Sequence, residues 1–271
     1  MITKLTLHNY PFDSDPENDP AEDRNDLGGI RTGFKALDEQ YGGLRNGHLI
    51  LLGGRPAMGK TTLACSIILN LCKDSYKCML FAPDQSEISI LNRLITIHSA
   101  IPPYHTDWNN NDLKKRTAST TVILSYNLQI DCHTISIDDI VHKCKRYKPQ
   151  LIVIDYLQLI RTDCYKRRKK DIKHILKQLK KLALMCCCPV LAVSSLSRQA
   201  ECRISQEPIP EDLLNADNGL KYTDEIIFLY RERIEHPETA YLKIAKHTEQ
   251  PAGIINLSFN PAYMSFTDFQ I

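Results

Sequence analysis

The chain has 271 residues, 43% of them hydrophobic, which is enough for one large α/β domain with a substantial core. No apolar run is long enough to cross a membrane, and the first residues lack a signal-peptide pattern, which argues against a membrane-spanning or exported protein. Net charge is +2 but unevenly spread: residues 11–27 hold seven acids against Arg24, so that segment is −6 and the remainder about +8, which permits a nucleic-acid partner without requiring one.

Residues 1–27 are acidic and proline-rich and predict a largely flexible tail, with a short strand possible over Ile2–Asn9. Ordered sequence is expected from residue 28 to 271 as one domain. Phe34, Leu37 and Leu44 can pack on a sheet, and Gly42-Gly43 and Asn46-Gly47 are turn signals. His48–Leu52 is a short apolar run suited to a buried strand.

Gly53–Thr62 follows, and Gly54, Gly59, Lys60 and Thr61 fit the phosphate-loop spacing G-x-x-x-x-G-K-[ST]. Glycines let backbone wrap phosphate without a Cβ in the way, and N–H groups at a helix start hold the anion. Lys60 is expected on the β- and γ-phosphates and Thr61 on Mg²⁺. The helix itself is expected over Thr61–Lys73, where Leu63, Ala64, Ile67, Ile68 and Leu71 recur at helical spacing. Together these predict a nucleoside triphosphate site between a strand and a helix.

Further along, Cys78–Ala82 predicts a second strand, and Ser86–Ala100 a helix capped by Ser86. Asn109–Ala118 predicts a short surface helix, Leu128–Cys132 a strand and Ser136–Tyr147 a helix. Leu151–Asp155 is an apolar strand ending in an acid, the Walker-B arrangement, which would bring Asp155 to the Mg²⁺ water shell near Thr61. Lys166, Arg167, Arg168, Lys169 and Lys170 form a basic run before a helix over Asp171–Met185; charge alone allows a solvated face or a loop on nucleic-acid phosphates. Val190–Ser194, Glu225–Tyr230, Ala240–His247, Gly253–Phe259 and Tyr263–Asp268 predict strands. Strands alternate with helices at first and then dominate. That order predicts an α/β fold, a mostly parallel sheet flanked by helices with antiparallel strands at one edge. The ten cysteines include no C-x-x-C pair; Cys65, Cys72, Cys78 and Cys186-Cys187-Cys188 are expected as small buried hydrophobes in a reduced, cytoplasmic protein.

These residues add up to a resemblance. Thr32–Asp38, Gly54–Thr62 with its Arg-Pro-x-Met-Gly-Lys-Thr-Thr, Asp155-Tyr156-Leu157-Gln158-Leu159 and Ser194–Arg198 resemble the RecA-like C-terminal motor domain of DnaB-type replicative helicases, over about residues 28–268. The resemblance implies a RecA-like P-loop NTPase that uses ATP and Mg²⁺ and acts on single-stranded DNA. It implies a homo-oligomeric ring, usually a hexamer, with nucleotide between subunits. It assigns nucleotide contact to Gly54, Arg55, Pro56, Ala57, Met58, Gly59, Lys60, Thr61, Thr62 and Arg198, and metal to Thr61 and, through water, Asp155. Lys166–Lys170 fall in a region that faces the DNA channel in such rings. The Asp-Tyr-Leu-Gln-Leu stretch points to the helicase branch rather than to recombinase- or clock-type relatives.

The sequence also departs from the family. In place of the family's amino-terminal helical domain and linker helix, only the acidic tail is expected. Asp84 stands where the family has the glutamate that orients the attacking water. Ser195 replaces the glutamine that senses the γ-phosphate. Lys246-His247-Thr248 keeps the lysine of the pair reaching into a neighbouring site but lacks its arginine, and such a finger is typically worth about 10³–10⁵ in rate. Binding residues are retained while those of hydrolysis and coupling are changed. The expectation is a helicase-type ATPase with Lys60, Asp84, Asp155 and Lys246 as catalytic residues and weakened hydrolysis, in which Arg231, Arg233 or His247 could replace the finger. The alternative is a catalytically weak nucleotide-binding adaptor that joins a replicative helicase in a hetero-oligomer.

Overall fold

The computed structural model describes residues 29–103, 108–162, 168–197, 207–213, 217–232 and 237–269. The acidic tail and the strand expected over Ile2–Asn9 lie outside them. In chain order the elements are α1 (Lys35–Tyr41), β1 (Leu49–Gly54), α2 (Lys60–Lys73), β2 (Cys78–Phe81), α3 (Glu87–Ser99), α4 (Asn110–Leu124), β3 (Leu128–Asp131), α5 (Ile137–Tyr147), β4 (Leu151–Ile154), α6 (Arg168–Cys186), β5 (Val190–Ser195), β6 (Glu225–Arg231), β7 (Thr239–Lys246), β8 (Gly253–Asn260) and β9 (Ser265–Asp268).

Nine strands form one sheet in the order β3-β2-β4-β5-β1-β6-β7-β8-β9. The first six pair in parallel and the last three continue antiparallel, as the order of elements along the chain implies. Alternation along each parallel strand divides the core. Ile50, Leu52, Leu80 and Val153 face α2 and α3 through Leu63, Ile68, Ile90 and Leu94. Leu49, Leu51, Met79 and Ile152 face α5 and α6 through Ile137, Ile140, Ile175 and Leu179. Both faces are covered, so the central strands are apolar throughout rather than alternating with polar residues. β1 sits between β5 and β6, which places its carboxyl end, and the loop beyond it, in the middle of the sheet.

Helix starts follow local chemistry. Ser86 caps α3 by accepting from the Ser89 N–H, and Asn109 opens α4 with a reciprocal capping box to Asp112. α4 runs six residues beyond the expected Ala118. Thr117, Thr120 and Thr121 turn their hydroxyls onto carbonyls one turn back, and buried Ile123 ties the last turn to the core. α6 begins at Arg168, so the last three residues of the basic run are helix rather than loop. The segment before β1 is held by Asp38, whose carboxylate accepts from Thr32 N, Thr32 Oγ1 and Gly33 N, while Asn70 on α2 donates to the Thr32 carbonyl.

The expected burial holds for Cys65, Cys72, Cys78 and Cys188 but not for Cys187, which is exposed, nor fully for Cys186. Cys187 lies on the turn between α6 and β5 with φ of 48°, so its side chain leaves the core that its neighbour enters. Among the described residues no group of three or more His, Cys, Asp or Glu is arranged to hold a metal, and no helix is long and apolar enough to cross a membrane.

Candidate active site

β1 delivers the chain to a tight loop, and two glycines are there for space. A Cβ on Gly54 would stand 2.6 Å from the Leu229 carbonyl oxygen, and one on Gly59 2.7 Å from the Phe266 ring. Gly59 also has φ of 101°, which disfavours any side chain. It immediately precedes α2, with no side-chain cap, so the first N–H groups of a 14-residue helix are left for an anion. Arg55 and Met58 are half-buried, whereas Pro56 and Ala57 are exposed along the loop.

Lys60 folds back over this loop and donates to the Gly54 carbonyl at 2.7 Å and the Arg55 carbonyl at 2.9 Å. Burial lowers its ammonium pKa to about 8, with the Asp155 charge pulling the other way. Next to it, Thr61 Oγ1 donates to Asp155 Oδ2 at 2.7 Å. Asp155 directly follows β4, is 3% exposed, and is fixed by its N–H on the Phe81 carbonyl at 2.8 Å. Burial pushes its carboxyl up, opposed by the Thr61 hydrogen bond, the charges of Lys60 and Arg93, and a hydrogen bond from Gln85. Phosphate-loop lysine, threonine hydroxyl and Walker-B carboxylate thus meet in one place, although 94 residues separate Thr61 from Asp155.

Two neighbours were not foreseen. Gln85 Nε2 donates to Asp155 Oδ2 at 3.0 Å, and Arg93 Nη1 donates to Thr62 Oγ1 at 3.0 Å. A lone glutamine in a turn and a lone arginine on a helix carry no pattern that would single them out. Asp84, one residue before Gln85, is exposed in the turn after β2. Gln158 is buried and clasps β5, donating to Ser194 Oγ at 2.9 Å and accepting from the Ser195 N–H at 3.3 Å.

The remaining expected residues lie apart. Arg198, Lys166, Arg167 and Arg233 fall outside the described residues; Arg168, Lys169 and Lys170 form the first turn of α6. Arg231 ends β6 with its guanidinium 3.7 Å from the centre of the Phe259 ring. Lys246 is at the other end of the sheet. It pairs with Ile226, which is level with Leu51, about 10 Å of strand before Gly54. Its Nζ turns further away, onto the carbonyls of Leu220, at 3.1 Å, and Thr223.

The turn beyond Lys246 is held by a polar cluster that sequence reading also missed. His247 Nδ1 accepts the N–H groups of Glu249 and Gln250 at 3.2 and 3.0 Å, which leaves Nε2 facing Glu225 Oε1 at 3.9 Å. His48 Nδ1 meets the same carboxylate oxygen at 2.8 Å, Tyr41 packs on the His247 ring, and Arg45 pairs with Glu249.

The donor set suits a magnesium nucleoside triphosphate. Thr61 and Asp155 are the hard oxygen ligands that Mg²⁺ takes, directly or through water, and the glycine-lined helix start with Lys60 suits phosphate. A "DnaB-like helicase C terminal domain" family profile matches residues 29–268. The chain is 31% identical over 266 residues to a "Probable replicative DNA helicase" of Trieres chinensis, covering 90% of this chain and 58% of that protein. It is 29% identical to the "Replicative DNA helicase DnaB" of Geobacillus stearothermophilus, with 90% and 58% covered. The chain therefore spans a little over half the length of these curated relatives. Among solved structures, a DnaB-like replicative helicase, described with its interactions with primase, superposes with a TM-score of 0.85 at 28% identity, over 90% of this chain and 63% of that one. A separately solved ATPase domain gives 0.85 at 27% identity, covering 92% of this chain and 94% of that one. A KaiC-like protein from Pyrococcus horikoshii, at 15% identity and a TM-score of 0.63, shares the fold alone.

Proposed function

The chain belongs to the DnaB-like helicase C-terminal domain family, and from that premise we propose that it is an ATP- and Mg²⁺-dependent motor of DNA replication that moves on single-stranded DNA in the cytoplasm. The observation that carries this reading is the meeting of Lys60, Thr61 and Asp155 beneath a glycine-shaped helix start. The replicative-helicase names of the relatives favour a motor over a nucleotide-binding adaptor.

In this reading the α2 N–H groups and Lys60 hold the triphosphate, with Lys60 leaving the Gly54 and Arg55 carbonyls for phosphate oxygens. Thr61 and Asp155 hold Mg²⁺, which neutralises charge that develops on the phosphates. Thr62, braced by Arg93, and the backbone of Arg55 to Met58 line the loop, and a further nucleotide contact is assigned to Arg198. Asp84, exposed beside the site, takes the proton of the attacking water. Lys246 serves the site of an adjoining subunit in a ring, a hexamer in this family. With serine at 195 and threonine at 248, hydrolysis is slower than in relatives that keep the glutamine and the arginine finger.

Steady-state ATP hydrolysis with and without single-stranded DNA tests this reading, with Lys60→Ala as the blank. A DNA-stimulated rate above the blank is expected; a rate at the blank in both conditions overturns the motor. The DNA-binding role is assigned to the basic run Lys166, Arg167, Arg168, Lys169 and Lys170, of which the last three open α6. Replacing all five by glutamine is expected to weaken single-strand binding and to reduce the slope of log affinity against log salt by about 0.7 for each phosphate no longer neutralised. Fluorescence anisotropy across a salt series measures both, and an unchanged slope would leave the run as solvated surface.

A further inference from the structure

The turn after β2 carries two polar residues, Asp84 and Gln85, and they differ in how they are held. Asp84 is exposed and has no hydrogen-bond partner among the described residues, whereas Gln85 is half-buried and anchored. Its N–H donates to the Ala82 carbonyl at 3.1 Å, closing the turn, and Ser86 next to it caps α3, so its backbone is fixed on both sides. Its Nε2 then donates to Asp155 Oδ2 at 3.0 Å, the oxygen that also accepts from Thr61.

Gln85 sets its amide nitrogen on Asp155 Oδ2, which leaves Oε1 turned away from the carboxylate. That oxygen has no partner among the described residues and is an acceptor for a water hydrogen, held within one side chain of the Thr61–Asp155 pair. Ser195 cannot supply such an amide, and Asp84 has no anchor to fix its direction.

We propose that Gln85 is a further catalytic residue of the hydrolytic step, its Oε1 accepting a hydrogen bond from the attacking water and aligning it on the γ-phosphorus. This rests on the ATPase reading above and deepens it. An amide is too weak a base to take the proton, so the roles divide: Gln85 orients and Asp84 receives. The water oxygen bonds to the γ-phosphorus as the bond to the β–γ bridging oxygen breaks. The bridging oxygen leaves with the electron pair on ADP, and the water proton passes to Asp84 and on to solvent.

The test uses the full chain and Gln85→Met, which keeps the volume and removes both hydrogen-bonding functions. Turnover is expected to fall about 10–10²-fold, with ADP affinity within about threefold of wild type. Affinity for ADP with aluminium fluoride, a mimic of the transferring phosphoryl group with its water in place, is read separately and needs no turnover. It is expected to fall by a factor close to the loss in rate. Equal analogue affinities with normal ADP binding overturn the role of Gln85 alone. A loss of ADP affinity as large as the loss of analogue affinity also overturns it, because the residue would then be holding the loop rather than the water. Failure of both proteins to bind any nucleotide overturns the ATPase reading and this inference with it.

Discussion

Lys60→Ala is expected to weaken ATP binding by about 10²-fold or more and to abolish hydrolysis. The wild-type ammonium gives up the Gly54 and Arg55 carbonyls only for better acceptors, the charged phosphate oxygens. Hydrogen bonds to charged groups are worth about 1.5–3 kcal/mol each, and every 1.4 kcal/mol is about tenfold in affinity, so losing two reaches that range. The fold should survive, because alanine suits the first turn of α2 and the core lies behind Leu63 and Ile68. The same lysine sets a pH dependence. Burial lowers its ammonium pKa to about 8, and a bound triphosphate favours the charged form and raises it. Binding therefore takes up protons around pH 8, and affinity is full below that pH and falls as pH rises from there towards the raised value. Titration with a fluorescent ATP analogue from about pH 6.5 to 9.5 measures this. A pH-independent affinity in the wild type, or an unaltered one in Lys60→Ala, would sink the assignment of the loop.

The second large effect concerns Lys246, and it appears only between subunits. Within its own chain this lysine is level with Leu51, on the amino side of the parallel strands, and its Nζ is turned to Leu220 and Thr223. It cannot reach phosphate held beyond Gly54 of the same chain. We propose that it acts on the neighbour's nucleotide, so that Lys246→Ala lowers hydrolysis about 10²-fold, the scale of removing one donor from a developing charge. Mixing gives the decisive measurement. Lys60→Ala spoils the site a subunit carries, and Lys246→Ala the site it serves, so each alone stays at background. In a head-to-tail ring assembled from equal amounts of both, about one interface in four joins an intact Lys60 to an intact Lys246. Hydrolysis near a quarter of the wild-type rate is expected, and a mixture that stays at background would mean that Lys246 acts only on its own fold.

What could be read without the fold follows from what each residue must do alone. The loop was legible as a candidate because Gly54, Gly59, Lys60 and Thr61 stand at a fixed spacing, and the structure needs glycine at 54 and 59 for a reason the spacing does not carry, the close approach of Leu229 and Phe266. Asp155 was legible only together with that loop, because an apolar strand ending in an acid is common by itself and becomes a site candidate when a phosphate loop precedes it. The central strands declared themselves as unbroken apolar runs, since both of their faces are buried. Gln85 and Arg93 were not legible, since their partners Asp155 and Thr62 lie 70 and 31 residues away and neither residue breaks a local pattern. Nor was the contact of His48 with Glu225, across 177 residues. The end of α4 was misjudged because threonines are poor helix formers until their hydroxyls find carbonyls one turn back. Cys187 was misjudged because three like residues in a row look alike, while the turn sends only one of them outwards.

The hydrogen bonds within the loop bear on how nucleotide would exchange in the proposed reading. Lys60 rests on two carbonyls of its own loop, and Thr61 rests on Asp155. When product departs, neither the ammonium nor the carboxylate is stranded without a partner; each falls back onto a neighbour already in place. Loading exchanges one complete set of bonds for another, with no part of the loop to be ordered first. Such a site has low walls on both sides: entry is not delayed by assembly, and exit is not resisted by exposed charge. For the proposed motor, which would empty and refill at every step, that symmetry would keep nucleotide exchange from becoming the slow part of the cycle.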